Sequence, residues 1–414
     1  MSETLYDMPG PLRDALTESI SSVDQREASE IERIIQAHQY RVVLFGCGGL
    51  GLRAIERLSE LGARPLALCD NNASLWGTEI QGIPVLSVAQ AAAQFGDNAL
   101  FLVAVWNPHH WYGETAQQLK AVGVRSITSY LPLFWRFPGD LLQVYLLNDL
   151  PAKVYQAKED VLAAERLWAD DLSLSIYRAN IHWRAFGNPD FMPSRPTENT
   201  YFPADLFRLL PNECIVDCGA YTGDTVGQIL DLCGATFGAI YAIEGDTSSF
   251  ERLCEYVTGL PTEVSSRIYP LHGAVGGTRT VVRFSGDGGT GSTISAGDGV
   301  DVQCYPLDEI SFASPVTMIK MDIEGSEYES LHGASKVIAR DKPLLAICVY
   351  HTQSDIWRIP LLVQSMLPDH RLFLRAYEGD GFQTVVYAVP PNRLLSESER
   401  AAAPNPRKPI ADRL

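Results

Sequence analysis

The sequence predicts an α/β chain in which two Rossmann-like domains are joined by a helical segment. Each domain begins with a short apolar strand, a glycine-rich turn and a helix, at residues 40–61 and again at 214–233. Short apolar strands then alternate with helical patterns, as in parallel sheets covered by helices. We expect these divisions of the chain: a helical segment at 1–37, the first domain at 38–137, a helical linker at 138–200, the second domain at 201–392 and a tail at 393–414.

The composition is that of a folded globular protein, with 414 residues of which 46% are hydrophobic and 20% charged. A net charge of −17 disfavours nucleic acid and anionic membrane surfaces as partners. No apolar run is long enough to cross a bilayer, and residues 1–24 lack a signal-peptide pattern. We therefore expect a cytoplasmic protein with reduced cysteines and no nucleic-acid or membrane partner. A homo-oligomer is compatible with the sequence.

The first domain opens with a G-x-G-x-x-G turn and an acid at the end of the next strand. The candidate nucleotide-binding residues are Gly46, Gly48, Gly49, Gly51 and Asp70. Glycines let a phosphate approach the backbone, and an acid about 20 residues further on can hold a ribose hydroxyl. This pattern predicts a bound nucleotide or nucleotide sugar. The alternative is a domain that has lost its ligand and serves packing or dimerisation.

Residues 70–85 carry a further resemblance. Asp70-Asn71-Asn72 followed by Gly82-Ile83-Pro84-Val85 resembles the small domain at the front of bacterial sugar O-acyltransferases. That domain binds nucleotide sugars, so the resemblance implies a nucleotide sugar ahead of NAD as the ligand.

The second domain has a different glycine turn, D-x-G-x-x-x-G-D, and a second acid that ends the next strand. The candidate cofactor-binding residues are Asp217, Gly219, Ala220, Tyr221, Thr222, Gly223, Asp224 and Glu244. An acid before the turn suits an amino-acid tail or orients the loop, and the second acid can accept both hydroxyls of a ribose. This combination, without a pyrophosphate site, predicts S-adenosylmethionine (SAM) as the cofactor.

Several segments of the second domain resemble one family. The runs 320–325, with Leu331 and Gly333, and 384–387, together with 217–220, closely resemble the FkbM family of SAM-dependent methyltransferases. The resemblance spans residues 200–390 in the right order. It implies a class I methyltransferase fold and O-methylation of hydroxyls on sugars, glycans or polyketides. One departure is Gly245-Asp246, where the family often has a proline.

The candidate catalytic residues follow the fourth and fifth strands of this domain. They are Asp322, which is also a candidate cofactor-binding residue, Glu324, His351 and Asp355. A neutral histidine can act as a base for the acceptor hydroxyl. Alternatively, Asp322, Glu324 and His351 hold a divalent metal ion, a reading we place second to metal-free chemistry. Glu324 and Glu327 can also be ordinary helix N-terminal acids.

The sequence therefore predicts a SAM-dependent O-methyltransferase whose acceptor is a saccharide, a glycan or another hydroxylated small molecule. The rival functions are an NAD(P)-dependent oxidoreductase centred on residues 46–70 and a non-catalytic nucleotide-sugar-binding module. Tyr350 and Trp357 are candidates for an apolar wall against the acceptor. Ser292 and Thr293, in a glycine-rich loop, are candidates to close over SAM.

Overall fold

The computed structural model describes residues 9–142, 147–188, 192, 200–285, 293–294, 299–396 and 398–399. The predicted loop 286–292 and most of the predicted tail lie outside the described residues. The chain divides into two compact units. Unit 1 comprises Met1–Leu162, Ser175–Pro196 and Glu378–Phe382, and unit 2 comprises Ala163–Leu174, Thr197–Tyr377 and Gln383–Leu414.

Unit 1 is built on a six-stranded sheet in the order β3-β4-β2-β1-β5-β6. Its strands are β1 (Val42–Phe45), β2 (Ala67–Cys69), β3 (Glu79–Ile80), β4 (Ile83–Leu86), β5 (Leu100–Val103) and β6 (Ser126–Ser129). Its helices are α1 (Leu12–Ala15), α2 (Ile20–Ala37), α3 (Gly49–Glu60), α4 (Val88–Phe95), α5 (Tyr112–Ala121), α6 (Leu131–Arg136), α7 (Pro138–Leu141) and α8 (Pro151–Gln156). Two further helices, α9 (Lys158–Ala164) and α10 (Asp171–Phe186), each cross a boundary between the units.

The centre of this sheet is parallel and apolar. Strand β1 is buried at every position and pairs in parallel with β2 and β5. Helix α2 begins after Ser19, whose side chain accepts a hydrogen bond from the Ser22 backbone N–H, and it buries Val23, Ile31 and Ile35 at helical spacing. Runs of buried β-branched and apolar residues are typical of central parallel strands, which explains why the sequence predicts them.

Unit 2 holds a seven-stranded sheet in the order β16-β17-β15-β14-β7-β8-β9 and a four-stranded sheet in the order β10-β13-β11-β12. Its strands are β7 (Cys214–Cys218), β8 (Ala239–Glu244), β9 (Ile268–His272), β10 (Ala274–Val275), β11 (Thr280–Ser285), β12 (Thr293–Ile294), β13 (Val300–Tyr305), β14 (Met318–Met321), β15 (Leu344–Cys348), β16 (Arg371–Ala376) and β17 (Thr384–Val389). Its own helices are α11 (Asp224–Cys233), α12 (Thr247–Thr258), α13 (Thr262–Ser265), α14 (Glu327–Gly333), α15 (Ser335–Asp341) and α16 (Asp355–Met366).

The seven-stranded sheet is parallel from β9 to β15, while β17 runs antiparallel between β15 and β16. The carboxyl ends of β7, β8, β14 and β15 therefore meet at one edge. Ligands of open α/β sheets bind at such an edge. The structure confirms the predicted fold class, two Rossmann-like α/β units.

The helical segment 138–200 is not a single linker, because its helices divide between the units. In unit 2, the Ser173 Oγ accepts a hydrogen bond from the Leu374 backbone N–H at 2.9 Å, and Asp170 forms an ion pair with Arg375. In unit 1, the Tyr177 hydroxyl donates to the Val161 carbonyl at 2.8 Å. The residues between the two predicted domains therefore have specific partners of their own.

The described helices include none that combines the length and the apolar character needed to cross a membrane. All eight cysteines are free thiols.

Candidate active site

The turn after β7 is shaped by a glycine that no other residue replaces without strain. Gly219 has φ +81°, and a Cβ built there would lie 1.9 Å from the Asp322 carbonyl oxygen. The turn therefore passes directly against the end of β14. Gly223, with φ +92°, then begins helix α11. The predicted cofactor residues Ala220, Tyr221, Thr222 and Asp224 lie on this turn and at the start of this helix.

Glu244 ends β8 beside the turn. Its Oε2 accepts a hydrogen bond from the Tyr221 backbone N–H at 2.8 Å, and its Oε1 accepts one from the Asp246 N–H at 2.7 Å. Burial raises the pKa of Glu244, and the two backbone hydrogen bonds oppose this shift. Each carboxylate oxygen keeps a further lone pair, so the fixed side chain can still accept two donors.

Asp217, next to the turn, forms an ion pair that the sequence does not predict. The Asp217 side chain is fully buried, and its Oδ1 is 2.9 Å from the Lys320 Nζ. Lys320 also donates to the Gly219 carbonyl at 2.7 Å. Although burial opposes it, the carboxylate of Asp217 raises the pKa of Lys320, which is therefore cationic. Of the two roles predicted for Asp217, this geometry fits orientation of the loop.

Asp322 accepts hydrogen bonds from two tyrosines at the end of β14. The Tyr201 hydroxyl donates to its Oδ2 at 2.5 Å, and the Tyr350 hydroxyl donates to its Oδ1 at 3.0 Å. Burial acts to raise the pKa of Asp322, but the hydrogen bond and charge of His351 dominate and hold it well below its usual range. Asp322 is therefore ionised. Tyr350, predicted as an apolar wall, acts here through its hydroxyl.

His351 lies below these groups with a side chain only 1% exposed. Its Nδ1 is 2.7 Å from the Glu327 Oε1, and its Nε2 is 3.2 Å from the Asp322 Oδ1. Burial opposes the charged form, but the Glu327 carboxylate and the hydrogen bond to Asp322 raise the pKa of His351 well above its usual value. Both ring nitrogens thus lie within ion-pair distance of a carboxylate, an arrangement that fits an imidazolium cation.

Glu327 has a larger role than a helix N-terminal acid. It begins α14, as the alternative interpretation expects, but its side chain is buried. Its carboxylate accepts from the Ile323 N–H at 2.8 Å and the Gly325 N–H at 3.0 Å. Glu327 therefore holds the loop that carries Glu324, and it fixes His351 at the same time.

The Glu324 side chain is 24% exposed, slightly more than that of Asp322 at 18%, whereas the Glu327 side chain is buried. Its backbone has φ +55°, a conformation that is uncommon for residues other than glycine. Burial raises the pKa of Glu324 to about 7, since the opposing charge of His351 is offset by Asp322 and Glu327. Glu324 thus exchanges its proton near neutral pH.

The metal-ligating set that the structure brings together is not the predicted one. Ligand atoms of Asp322, Glu327 and His351 lie within 4.8 Å of one another, with Glu327 in place of the predicted Glu324. The two carboxylates face opposite nitrogens of the imidazole ring, however. An ion pair network accounts for this arrangement.

Asp355 accepts from the Thr352 N–H at 3.0 Å, and burial raises its pKa to about 6.

Residues 217–381 match the family model of the methyltransferase FkbM domain. The chain carries an FkbM methyltransferase domain. The resemblance seen in the sequence is thereby confirmed. The methyltransferase FkbM from Methylobacillus flagellatus KT is similar to this chain in structure, with a TM-score of 0.69 and 22% identity. That likeness covers 91% of this chain and the whole of the other, and it shows the fold.

A second glycine turn lies in unit 1, outside the FkbM domain. Gly46 has φ +104°, and a Cβ at Gly51 would lie 2.0 Å from the Gly46 carbonyl oxygen, whereas a Cβ at Gly48 would meet nothing within 4 Å. Gly46 and Gly51 are thus needed for packing, but Gly48 faces open space. The Asp70 carboxylate accepts from the Cys47 N–H at 2.9 Å and the Asn72 N–H at 2.8 Å. Gly49, at the start of α3, completes the predicted set.

The N-terminal unit has relatives of another kind. Redox-sensing transcriptional repressors Rex from Roseiflexus sp. (strain RS-1) and Caldanaerobacter subterraneus subsp. tengcongensis are 29% and 24% identical to this chain, over 140 and 127 residues. The matches cover 33% and 30% of this chain, and 64% and 57% of the relatives. The chain thus spans less than two thirds of either repressor's length. The resemblance to nucleotide-sugar-binding domains stays a prediction.

Proposed function

We propose that the protein is a SAM-dependent O-methyltransferase that methylates a hydroxyl of a saccharide or another hydroxylated small molecule. The observation that carries the proposal is Glu324, a solvent-facing carboxyl with a pKa of about 7 at the carboxyl edge of the FkbM sheet. A hydroxyl attacking a methyl carbon must lose its proton, and a base with a pKa near the working pH removes it best.

The residues around Gly219 fit SAM. Glu244 is held by two backbone N–H groups and keeps acceptor capacity for the ribose hydroxyls. Gly219 leaves no side chain between the turn and the end of β14. When bound, SAM supplies an electrophilic methyl group. The chain's own residues supply orientation: Lys320 and Asp217 fix the turn, and Glu244 fixes the ribose end.

Glu324 is the proton acceptor in this proposal, and His351 is a positioning residue. The sequence predicts His351 as the base, but a histidine accepts a proton only in its neutral form. The carboxylates of Glu327 and Asp322 favour the charged imidazolium, which has no lone pair for a proton. Asp322, held ionised by two tyrosines and His351, keeps a fixed negative charge next to Glu324.

The direct test replaces Glu324 by glutamine and measures methyl transfer from labelled SAM to a panel of saccharides. Glu324→Gln is expected to lower turnover by about 10²–10⁴-fold with SAM affinity retained. Glu329→Gln, at an exposed position on helix α14 just after the Glu324 loop, is the matched control and stays near wild type. Wild-type turnover falls as pH drops through about 7, because Glu324 is then protonated. Unchanged turnover in folded Glu324→Gln would remove Glu324 from the proposal.

This chemistry does not require a metal ion. Incubation with EDTA is therefore expected to leave turnover unchanged. Loss of activity that Mg²⁺ or Mn²⁺ restores would instead assign Asp322, Glu327 and His351 to a metal site. The rival oxidoreductase is tested in the same protein, since it predicts reduction of NAD(P) by a saccharide and no use of SAM.

A second candidate function belongs to unit 1, which we propose binds a nucleotide-type ligand such as a nucleotide sugar or NAD. The open space at Gly48 favours it, because packing alone gives no reason for that space at the start of α3. The similarity to Rex repressors agrees with a Rossmann-type ligand. Calorimetric titration of the full chain with UDP-glucose and NAD tests it, and the absence of saturable binding would favour the packing role.

A further inference from the structure

Arg358 occupies an unusual position on helix α16. Its guanidinium carbon lies 3.9 Å from the centre of the Tyr328 ring on α14, so the side chain is stacked and held flat. One nitrogen, Nη1, donates a long hydrogen bond of 3.4 Å to the Ser354 hydroxyl. A stacked guanidinium keeps its edges available for two parallel hydrogen bonds to one anion.

Within the described ranges, no carboxylate forms an ion pair with Arg358. The buried arginines Arg375 and Arg393 of unit 2 are paired with carboxylates, and the half-buried Arg267 donates to three backbone carbonyls. Arg375 binds Asp170 and Asp205, and Arg393 binds Glu213. A half-buried cation without a counter-ion is conspicuous in a chain with a net charge of −17. The stacking on Tyr328 fixes the plane of the Arg358 guanidinium.

Arg358 lies on the same rim as the proposed base. The Ser354 hydroxyl that it contacts is 3.2 Å from the Thr352 hydroxyl. The Thr352 methyl group in turn lies 3.8 Å from the position that a Cβ would take at Gly325, the residue after Glu324. Two hydrogen bonds and the proximity of Thr352 to Gly325 thus connect the guanidinium to the loop that presents Glu324. Two hydroxyl groups along this path can donate to sugar or anion oxygens.

We infer that Arg358 binds an anionic group on the acceptor, so that the acceptor is an acidic saccharide bearing a carboxylate or a phosphate. This inference rests on the proposed methyl transfer. The acids Asp322, Glu324 and Glu327 outnumber the His351 cation, so they repel an anionic molecule unless a cation receives its charge. Arg358 supplies that cation at the rim, and it orients the acceptor with a hydroxyl toward Glu324.

The experiment compares matched saccharides that differ in charge: glucose, glucuronic acid and glucose 6-phosphate, and the corresponding set for galactose. The wild-type protein is expected to prefer an acidic member in kcat/KM. Arg358→Gln is expected to raise KM for that member by about 10–100-fold, with kcat and the neutral sugars little changed. Arg358→Lys keeps the charge but loses the paired geometry, so its effect is intermediate. Arg340→Gln, on α15, is the matched control.

The same panel shows whether the anionic group is a carboxylate or a phosphate. Inorganic phosphate is expected to inhibit methylation only if Arg358 binds a sugar phosphate. Equal use of neutral and acidic sugars by the wild type would overturn the inference, as would an equal loss on both in Arg358→Gln. Calorimetry of glucuronic acid and glucose 6-phosphate with the S-adenosylhomocysteine-loaded protein gives an answer without turnover. One outcome separates the two proposals. If the wild-type protein binds the acidic sugar, Arg358→Gln does not bind it, and no methylation is detected, the anion site of Arg358 stands and the O-methyltransferase function is removed. Absence of binding to the wild type overturns it.

Discussion

The two units have the same backbone turn and different residues beneath it. In each sheet the first strand ends in a glycine turn, and an acid from the second strand accepts a hydrogen bond from a backbone N–H of that turn, from Cys47 to Asp70 and from Tyr221 to Glu244. The next central strand pairs with the first in parallel in both.

The difference lies at the penultimate position of those two paired strands. Unit 1 pairs Leu44 with Leu102, and unit 2 pairs Asp217 with Lys320. In unit 2 the buried charge reaches the Gly219 carbonyl. The strand that carries Lys320 then continues into Asp322 and Glu324. The two units thus share the backbone turn, and only unit 2 adds ionised side chains from its paired central strands.

The largest expected effect comes from making unit 2 resemble unit 1 at this position. Lys320→Met leaves the Asp217 carboxylate buried without a partner and is expected to lower the free energy of unfolding of unit 2 by about 3–5 kcal/mol. Leu102→Met in unit 1 conserves volume and is expected to cost less than about 1.5 kcal/mol. Urea denaturation, monitored by hydrogen exchange in each unit, measures both changes in the free energy of unfolding.

A double variant separates the ion pair from simple packing. Lys320→Met with Asp217→Asn removes the unpaired charge, so it is expected to recover part of the lost stability. If the double variant is less stable than Lys320→Met alone, the buried charge is not the cause of the loss.

The second effect concerns the acids at the strand ends. Glu244→Ala is expected to weaken SAM binding by about 2–3 kcal/mol, the usual cost of losing a charged hydrogen-bond partner. Asp70→Ala in unit 1 leaves SAM binding unchanged and weakens only the nucleotide ligand of that unit. Calorimetry with SAM and with UDP-glucose or NAD compares the two variants. Equal SAM affinity in wild type and folded Glu244→Ala would place the ribose elsewhere.

Much of this comparison could be predicted from the sequence. Apolar runs and glycine turns placed β1, β7, β8 and β14 within a few residues, because buried parallel strands and positive φ angles leave strong local patterns. Asp217, Glu244, Asp322 and Glu324 were found as candidates for the same reason, since each follows or ends such a strand. Lys320 leaves a visible signal, a single charge inside the apolar run Met318–Met321, but it entered only the family resemblance, and its ion pair with Asp217 was not predicted.

Other parts of the site leave no local pattern. Tyr201 donates to Asp322 across 121 positions of the chain, and Gln383 donates to the Tyr350 hydroxyl across 33. Nothing in the sequence around Tyr201 marks it as a partner. The role of His351 also depends on burial and on Glu327, which begins a different element. The pKa of a side chain is set by three-dimensional neighbours, so the choice between His351 and Glu324 as base needed the structure.

A third prediction uses pH to separate the units. The folded pKa of Glu324, about 7, lies above its unfolded value, so stability falls as pH rises from about 4.5 to 7. Solvent screening of a side chain that is 24% exposed reduces this contribution to about 1–2 kcal/mol. The raised pKa of His351 acts in the same direction above pH 6.5, because only the folded state then keeps the proton.

Unit 2 is therefore expected to melt at lower temperature at pH 8 than at pH 5, while unit 1 changes less. Scanning calorimetry at several pH values measures the slope, and Glu324→Gln is expected to reduce it relative to Glu329→Gln. If the melting temperature changes equally with pH in those two variants, the pKa of Glu324 is not raised.

The smallest expected effect is at Gly48, and its smallness is what makes it informative. A Cβ there meets nothing within 4 Å, and φ is −78°, so Gly48→Ala and Gly48→Val are expected to change the free energy of unfolding by no more than about 0.5 kcal/mol. Gly139→Val, at an equally open position in α7, is the matched control. The added side chain at Gly48 contacts no other residue, so it is expected to clash only with a ligand that approaches the turn. Calorimetry with UDP-glucose and NAD is therefore expected to show weaker binding in Gly48→Val, unchanged binding in Gly139→Val, and unchanged SAM affinity in both. Equal ligand affinity in all three proteins would separate the glycine turn of unit 1 from ligand binding and leave it as a packing element.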